Sequence, residues 1–228
     1  MNPSVPQSVI DRAMEIDAAA AQAEYYAVFR SDVGSFLDSD MIDQAIEPGR
    51  RERAPLNEVQ YVAFTDPSGG SHDSFALAIG HREGERLILD VCRGVKPPFD
   101  PSRVVAEFAA LLKAYRCYSV VGDRYSGAWV IEVFSKAGID YRHSGLTKSE
   151  LYLECVPLFS QGSVDLLDTQ PLTVELMQLE RRTARSGRDS VDHSHQGHDD
   201  LANACCGVLA LLASAAQNRP CEIRIEGF

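Results

Sequence analysis

The stretch Tyr61–Val62–Ala63–Phe64–Thr65–Asp66–Pro67–Ser68–Gly69–Gly70 decides how the rest of the chain is read. An apolar, β-favouring run delivers one carboxylate to its C-terminal end, and a Pro-Ser-Gly-Gly turn follows at once. It reads as a buried strand that stops sharply with Asp66 at its tip. Two comparable placements recur: Asp123 closes Tyr118–Ser119–Val120–Val121–Gly122, and Asp199–Asp200 open the apolar run Leu201 to Ala216. Two strand ends and one helix start are what a site needs to gather acids, distant in sequence, around divalent cations. Each acid also has a plainer role available, with Asp66 as a turn former, Asp123 as a helix cap and one of Asp199 and Asp200 as the cap of the last helix.

Outward from Asp66 the pattern alternates. Ser74–Gly80 and Arg86–Cys92 are apolar runs separated by Arg82–Glu83–Gly84–Glu85, a hairpin signature that extends the first strand into a three-stranded antiparallel meander. Pro101 starts a helix through Tyr115, a strand follows over 117–122, and a helix over 126–137 stops at Gly138 before a short strand at 139–141. Helical spacing returns from Lys148 to Phe159. Residues 163–167 read as an edge strand, Pro171 to Arg182 as an amphipathic helix, 183–198 as a polar loop, and 199–216 as a buried closing helix. The expected fold is an α/β mixed sheet, meander plus parallel strands, flanked by helices.

Before the first strand, residues 8–30 show helical spacing and 31–47 short amphipathic pieces. The segment Glu47 to Pro55 breaks all periodicity. Residues 1–57 are therefore expected to be a helical extension and linker, and 58–228 the compact domain. The alternative is that the extension packs on the domain as an extra helix.

Composition bounds the class. With 45% hydrophobic and 24% charged residues over 228 positions, the chain reads as globular, without an apolar run long enough to span a bilayer. The N-terminus lacks the basic and apolar segments of a signal peptide, and six cysteines without CxxC spacing read as reduced core residues. A cytoplasmic location is expected. The net charge of −11 argues superficially against a nucleic-acid partner, yet residues 1–60 alone hold eleven acids against five Arg. Basic clusters exist at Arg50, Arg51 and Arg53 and at Arg181, Arg182, Arg185 and Arg188. The His193–Ser194–His195–Gln196–Gly197–His198 stretch has no cysteine or acid pair at finger-like spacing, so a mobile solvated loop is expected there, with His198 near enough to the acids to touch substrate.

Three carboxylates repel one another at neutral pH unless cations neutralise them. Hard oxygen ligands select Mg²⁺ or Mn²⁺, and two such ions about 4 Å apart suit phosphodiester cleavage. Gly69 and Gly70 would leave room for a backbone phosphate at the strand tip. On a helical wheel Asp200 lies nearer the apolar stripe and Asp199 points away, although a site at the helix tip can use both.

The ordered set of Phe64–Thr65–Asp66–Pro67–Ser68–Gly69–Gly70, Val121–Gly122–Asp123–Arg124–Tyr125–Ser126–Gly127 with Trp129, Thr147–Lys148–Ser149–Glu150–Leu151–Tyr152, and His198–Asp199–Asp200–Leu201–Ala202–Asn203–Ala204 resembles the C-terminal nuclease domain of the large terminase subunit of tailed bacteriophages. The resemblance covers roughly residues 58–216. It implies an RNase H-like fold and a two-metal endonuclease, using Mg²⁺ or Mn²⁺, that cuts concatemeric viral double-stranded DNA during packaging. Asp66 and Asp123 fall on the family's first two metal-binding acids and Asp199–Asp200 on the third. Lys148 falls on a basic position facing the DNA backbone. Arg124 beside Asp123 and the cluster Arg181, Arg182, Arg185 and Arg188 are further expected DNA contacts, the cluster's plainer role being a solvated helix end.

Portal protein, small terminase subunit and a separate ATPase domain are the implied protein partners. The GxxxxGK[ST] phosphate loop of the ATPase domain that precedes the nuclease in large terminases does not occur here. Residues 1–57 resemble the tail of the connection to such a domain, and DNA translocation is not expected of this chain. A junction resolvase or transposase of RNase H type, or a DNA- or portal-binding module with little cleavage, are the alternatives.

Overall fold

A computed structural model of the chain describes residues 6–16, 25, 33–123, 127–183, 189–194 and 197–217. Its centre is the hairpin pair expected around Asp66. Strand β3 (Tyr61–Asp66) runs antiparallel to β4 (Phe75–Glu83), which runs antiparallel to β5 (Arg86–Val95). Strands β6 (Ser119–Gly122) and β7 (Asp140–His143) then add in parallel beside β3. On the other side β8 (Val164–Leu167) pairs parallel to β5, and the two-residue β2 (Ile46–Glu47) parallel to β8. The seven-stranded order β2-β8-β5-β4-β3-β6-β7 is the mixed α/β sheet of the RNase H-like expectation.

Alternation along the strands explains why helices cover both faces. Phe75, Leu77 and Ile79 of β4 join one core with α3 (Pro101–Ala114) and α4 (Ala128–Lys136). Ala76 and Ala78 face the other core, with α2 (Ser39–Ala45), α5 (Lys148–Ser160), α6 (Gln170–Met177) and α7 (Asp200–Gln217). In β3 the same period-two rule puts Phe64, and therefore Asp66, on the α7 face. Small residues let α7 lie close: a Cβ on Gly207 would stand 2.2 Å from the Phe64 ring. No helix among the described residues is long and apolar enough to cross a membrane.

The structure departs from the sequence-based expectations at several elements. The helix expected over 171–182 ends at Met177, and β9 (Leu179–Thr183) follows. The expected loop 183–198 contains β10 (Asp189–His193), which pairs with β9, while β1 (Val33–Ser35) pairs on β9's other side to make a second, three-stranded sheet. Residues 163–167 do not form an edge, because β2 lies outside β8. Helix α1 (Gln7–Ile16) accounts for the start of the helical spacing at 8–30; residues 17–24 and 26–30 lie outside the described residues.

The aperiodic segment after β2 is fastened to the sheet rather than loose. The Arg53 amide donates to the Asp90 carbonyl at 2.9 Å, the Tyr115 hydroxyl donates to the Arg53 carbonyl, and Arg93 grips Glu52. Phe36, Leu37 and Ile42 are buried in the α7-side core. Four cysteines (Cys117, Cys155, Cys205, Cys206) are buried free thiols, as core residues should be, and Cys92 is partly buried.

Candidate active site

Parallel pairing aligns the first two acids. Phe64 sits opposite Val121 and Thr65 opposite Gly122, and the Asp123 amide donates to the Thr65 carbonyl at 3.3 Å. One further step of the same register sets Asp123 beside Asp66 at the carboxyl ends of two neighbouring strands, where open α/β sheets hold their ligands. Helix α7, crossing β3 on the Phe64 face, brings its N-terminus to the same place. Asp66, Asp123, Lys148, Asp199 and Asp200 all line one open cleft of about 430 Å³, with Ser68, Gly69, Asp73, Ser74, His193 and His198.

Each acid is held by a different part of the chain. Asp66 Oδ2 accepts 2.8 Å from the Asn203 side-chain amide, and Asp200 Oδ2 accepts 2.9 Å from the Ser74 amide at the end of the β3–β4 turn. Asp199 Oδ2 accepts 2.8 Å from the Tyr152 hydroxyl and lies 2.9 Å from Lys148 Nζ. Tyr152 and Lys148 share a face of α5 at i, i+4 spacing, and a Thr147–Glu150 capping box starts that helix. Lys148 also approaches Asp192 of β10 at 3.6 Å.

The wheel-based expectation that Asp199 points away does not hold. Asp199 and Asp200 are 5% and 7% exposed, and both face the cleft, because Asp199 precedes the first helical residue and so escapes the helical wheel. Nor does either side chain serve the free amides of α7. Those of Leu201 and Ala202 donate to Glu175 of α6, at 2.7 and 3.0 Å. A carboxylate from a neighbouring helix does the capping, leaving the two aspartates to the cleft.

Among the described residues the cleft is an anionic pocket short of positive charge. Burial pushes the Asp66 carboxyl up to about 8, against the opposing Asn203 hydrogen bond, and Asp200, Asp123 and Asp199 add to the rise. Burial also raises Asp200, opposed by Ser74 and reinforced by Asp73 and Asp199. For Lys148 burial acts downward, yet contact with Asp199 and the nearby Asp192 and Asp66 outweighs it and holds the ammonium above its ordinary value. Glu175 is pushed up to about 7 by burial, against its two backbone hydrogen bonds.

The donor set tests whether a divalent cation fits. The four inward acids offer hard oxygens, the cleft holds no thiolate beside the His193 and His198 imidazoles, and like charges crowd together there, which suits Mg²⁺ or Mn²⁺. Among the described residues no three His, Cys, Asp or Glu side chains close on one point as a ready-made cage. A cation that retains several water ligands matches so open an arrangement.

The glycines of the turn divide their work. Gly69 lines the cleft and has nothing within 4 Å of an added Cβ, so the wall there is bare. Gly70 instead has φ +84, and an added Cβ would stand 2.4 Å from the Phe99 carbonyl oxygen, which makes it a turn glycine and not a phosphate seat. Of the expected basic contacts, only Lys148 reaches the cleft among the described residues. Arg181 and Arg182 are on strand β9, not a helix end, and pair with Asp189 and Glu180. Arg124, Arg185 and Arg188 lie outside the described residues, as does His195.

Asn203, Tyr152, Ser74 and Glu175 escaped the sequence reading as site residues. The signal for two of them was present: Tyr152 stands four residues after Lys148, and Asn203 three after Asp200. Ser74 and Glu175 act through backbone bonds that no spacing announces.

Sheet order, strand directions and the α7 crossing define an RNase H-like fold, the fold also seen in large terminase nucleases. The large terminase nuclease of thermophilic phage G20c superposes with a TM-score of 0.64 at 18% identity, over 75% of this chain and 95% of that one. The nuclease domain of the Thermus phage P74-26 large terminase gives 0.62 at 19% identity, over 77% and 94%. The bacteriophage HK97 large terminase gives 0.64 at 15% identity and matches 92% of this chain, which spans 52% of that protein. At such identities the likeness is one of fold. No protein-family model and no curated protein sequence matches the chain.

Proposed function

We propose that the chain is a divalent-metal-dependent endonuclease that cleaves double-stranded DNA during viral genome packaging. The observation that carries this is the convergence of Asp66, Asp123 and the Asp199–Asp200 pair, from two parallel strand ends and one helix tip, on one open cleft. Neighbours in fold add support: the G20c nuclease binds magnesium or cobalt, and the nuclease domain of Sf6 gp2 manganese.

Asp66, Asp123 and Asp200 are the first ligands for Mg²⁺ or Mn²⁺, two ions in this reading, which when bound supply Lewis acidity at the scissile phosphate and a more acidic water. Asp199 also faces the site, but Tyr152 and Lys148 occupy its Oδ2, so its main work is to anchor Lys148 at the rim. That ammonium is the contact offered to the DNA backbone, and the bare wall at Gly69 leaves the strand tip approachable. His193 and His198 line the same cleft within reach of substrate. Arg124, Arg181, Arg182, Arg185 and Arg188 are proposed as outer DNA contacts, with Arg181 and Arg182 exchanging their present carboxylates for phosphate.

The nuclease unit proposed is 58–228, with 1–57 as an extension whose residues 33–47 pack into its sheets and core. An ATPase domain, the portal and the small terminase subunit are its proposed partners, in the bacterial cytoplasm. Incubating supercoiled plasmid with the chain in Mg²⁺, Mn²⁺ or EDTA tests the reading. Nicking or linearisation that needs metal and disappears in Asp66→Ala and Asp123→Ala is expected. Equal cutting in EDTA, or by both variants, would overturn it.

A further inference from the structure

We propose that Asn203 is a positioning residue that aims the Asp66 carboxylate at the cation, an inference that rests on the metal-dependent function proposed above. Asn203 stands one turn inside α7 and is 1% exposed, between the buried Ala202 and Ala204. Its Nδ2 donates to Asp66 Oδ2 at 2.8 Å, while its Oδ1 is buried with no hydrogen-bond partner among the described residues. A buried amide that satisfies only one of its two ends is a poor way to stabilise a helix, since the orphaned acceptor loses its hydration without return. An apolar residue at 203 would pack with the small apolar neighbours and leave no orphan. The amide is therefore explained by what its Nδ2 does and not by the packing of α7.

What it does follows from the chemistry of the carboxylate. Asp66 ends its strand, where the torsion about Cβ–Cγ is soft. A fixed donor on Oδ2 selects one orientation and commits the second oxygen away from α7. A neutral donor does this while leaving the negative charge uncancelled. A Lys or Arg at 203 would hold the same oxygen but neutralise the charge that a cation must find. The distance is set by the close crossing of α7 over β3, in which Gly207, one turn further along, rests on Phe64 two residues before Asp66. Strand and helix are locked at that crossing, so Asn203 and Asp66 stay in register.

The test is a Mn²⁺ titration followed by the electron paramagnetic resonance signal of free Mn²⁺, on the wild-type chain, Asn203→Ala and Asn203→Leu, with thermal melts of all three in EDTA. The expected result is Mn²⁺ binding by the wild type, weakened about 10- to 100-fold in both variants, the usual consequence of removing a group that orients a metal ligand. Both variants should keep a cooperative melt. A purely structural role would lower melting temperature and affinity together, whereas a positioning role separates them. Affinities within twofold of wild type, or loss of the cooperative melt in both variants, would overturn the inference alone. Failure of the wild type to bind Mn²⁺ would overturn the metal-dependent function and this inference with it.

Discussion

A carboxylate stands near each end of β3, Asp90 of β5 beside its start and Asp66 at its tip, and the chain treats the two in opposite ways. Near its start, Asp90 is 1% exposed and meets His81 Nδ1 at 2.6 Å, with the Tyr61 ring edge-on to that imidazole. Asp90 is the extra residue where the β4–β5 register slips, and its carbonyl holds the Arg53 amide. At the other end Asp66 meets a neutral amide and three further aspartates, while the nearby Lys148 is bonded to Asp199. A buried acid whose partner lies within the chain is a fold element. One whose compensation is missing among the described residues marks the place where a cation and an anionic substrate would enter.

Substitution at the two ends should separate these roles most widely. Asp66→Asn removes like-charge repulsion and keeps the shape, so metal-dependent plasmid cleavage should fall on the order of 10³-fold or more while stability in EDTA holds or rises. Asp90→Ala strips His81 of its partner and should cost about 1–3 kcal/mol in urea unfolding, with cleavage by the folded fraction within about threefold of wild type. Cleavage that survives Asp66→Asn, or that vanishes in a well-folded Asp90→Ala protein, would break the contrast.

The crossing of α7 over β3 is the next point of attack, because it carries three of the four acids. Gly207→Ala puts a methyl within 2.2–2.5 Å of the Phe64 ring, so ring or helix must move. Overpacking of this kind costs about 1–3 kcal/mol. A displacement near 1 Å between Asp66 and Asp200 can lower the rate by up to about 10²-fold. Cleavage kinetics beside a thermal melt would separate the two effects, and a rate loss no larger than the loss of folded protein would show that the crossing does not set the site.

How much of this could be read from residues alone follows the strength of local signals. Apolar runs that end on Asp66 and Asp123 announce strand tips, and the long apolar run after Asp200 announces a buried helix, so the acids and the core sheet were legible. The second sheet was not. Leu172, Leu176 and Leu179 continue a helical spacing past Met177, where the helix in fact stops and β9 starts. In β10 only Val191 is apolar, and the strand is held by pairing with β9 and by the Val191 amide donating to Ser149 Oγ at 2.9 Å. Such tertiary bonds leave no periodic trace. By spacing alone Arg181 and Arg182 fall on a helix end, although their charges are matched across the β9–β10 pair and within β9.

The smallest of the expected effects concerns Glu175, which sits between the two kinds of buried acid. Like Asp90 it has partners in the chain, the Leu201 and Ala202 amides, and like Asp66 it feels Asp200 and Asp199. Its folded value, raised to about 7 from the ordinary 4.5, means that the folded chain holds this proton more tightly than the unfolded one. The stabilisation linked to that proton is fully present below about pH 4.5 and is lost as pH climbs through about 7. Glu175→Gln keeps an acceptor for the two amides but removes the titration. Its urea midpoint in EDTA should therefore match wild type near pH 4.5 and exceed it at pH 8, flattening the wild-type slope between those values. Asp66 titrates in both proteins, so the difference between them isolates Glu175. An identical slope in the two would mean that the compensation of Glu175 by the Leu201 and Ala202 amides is complete within the fold.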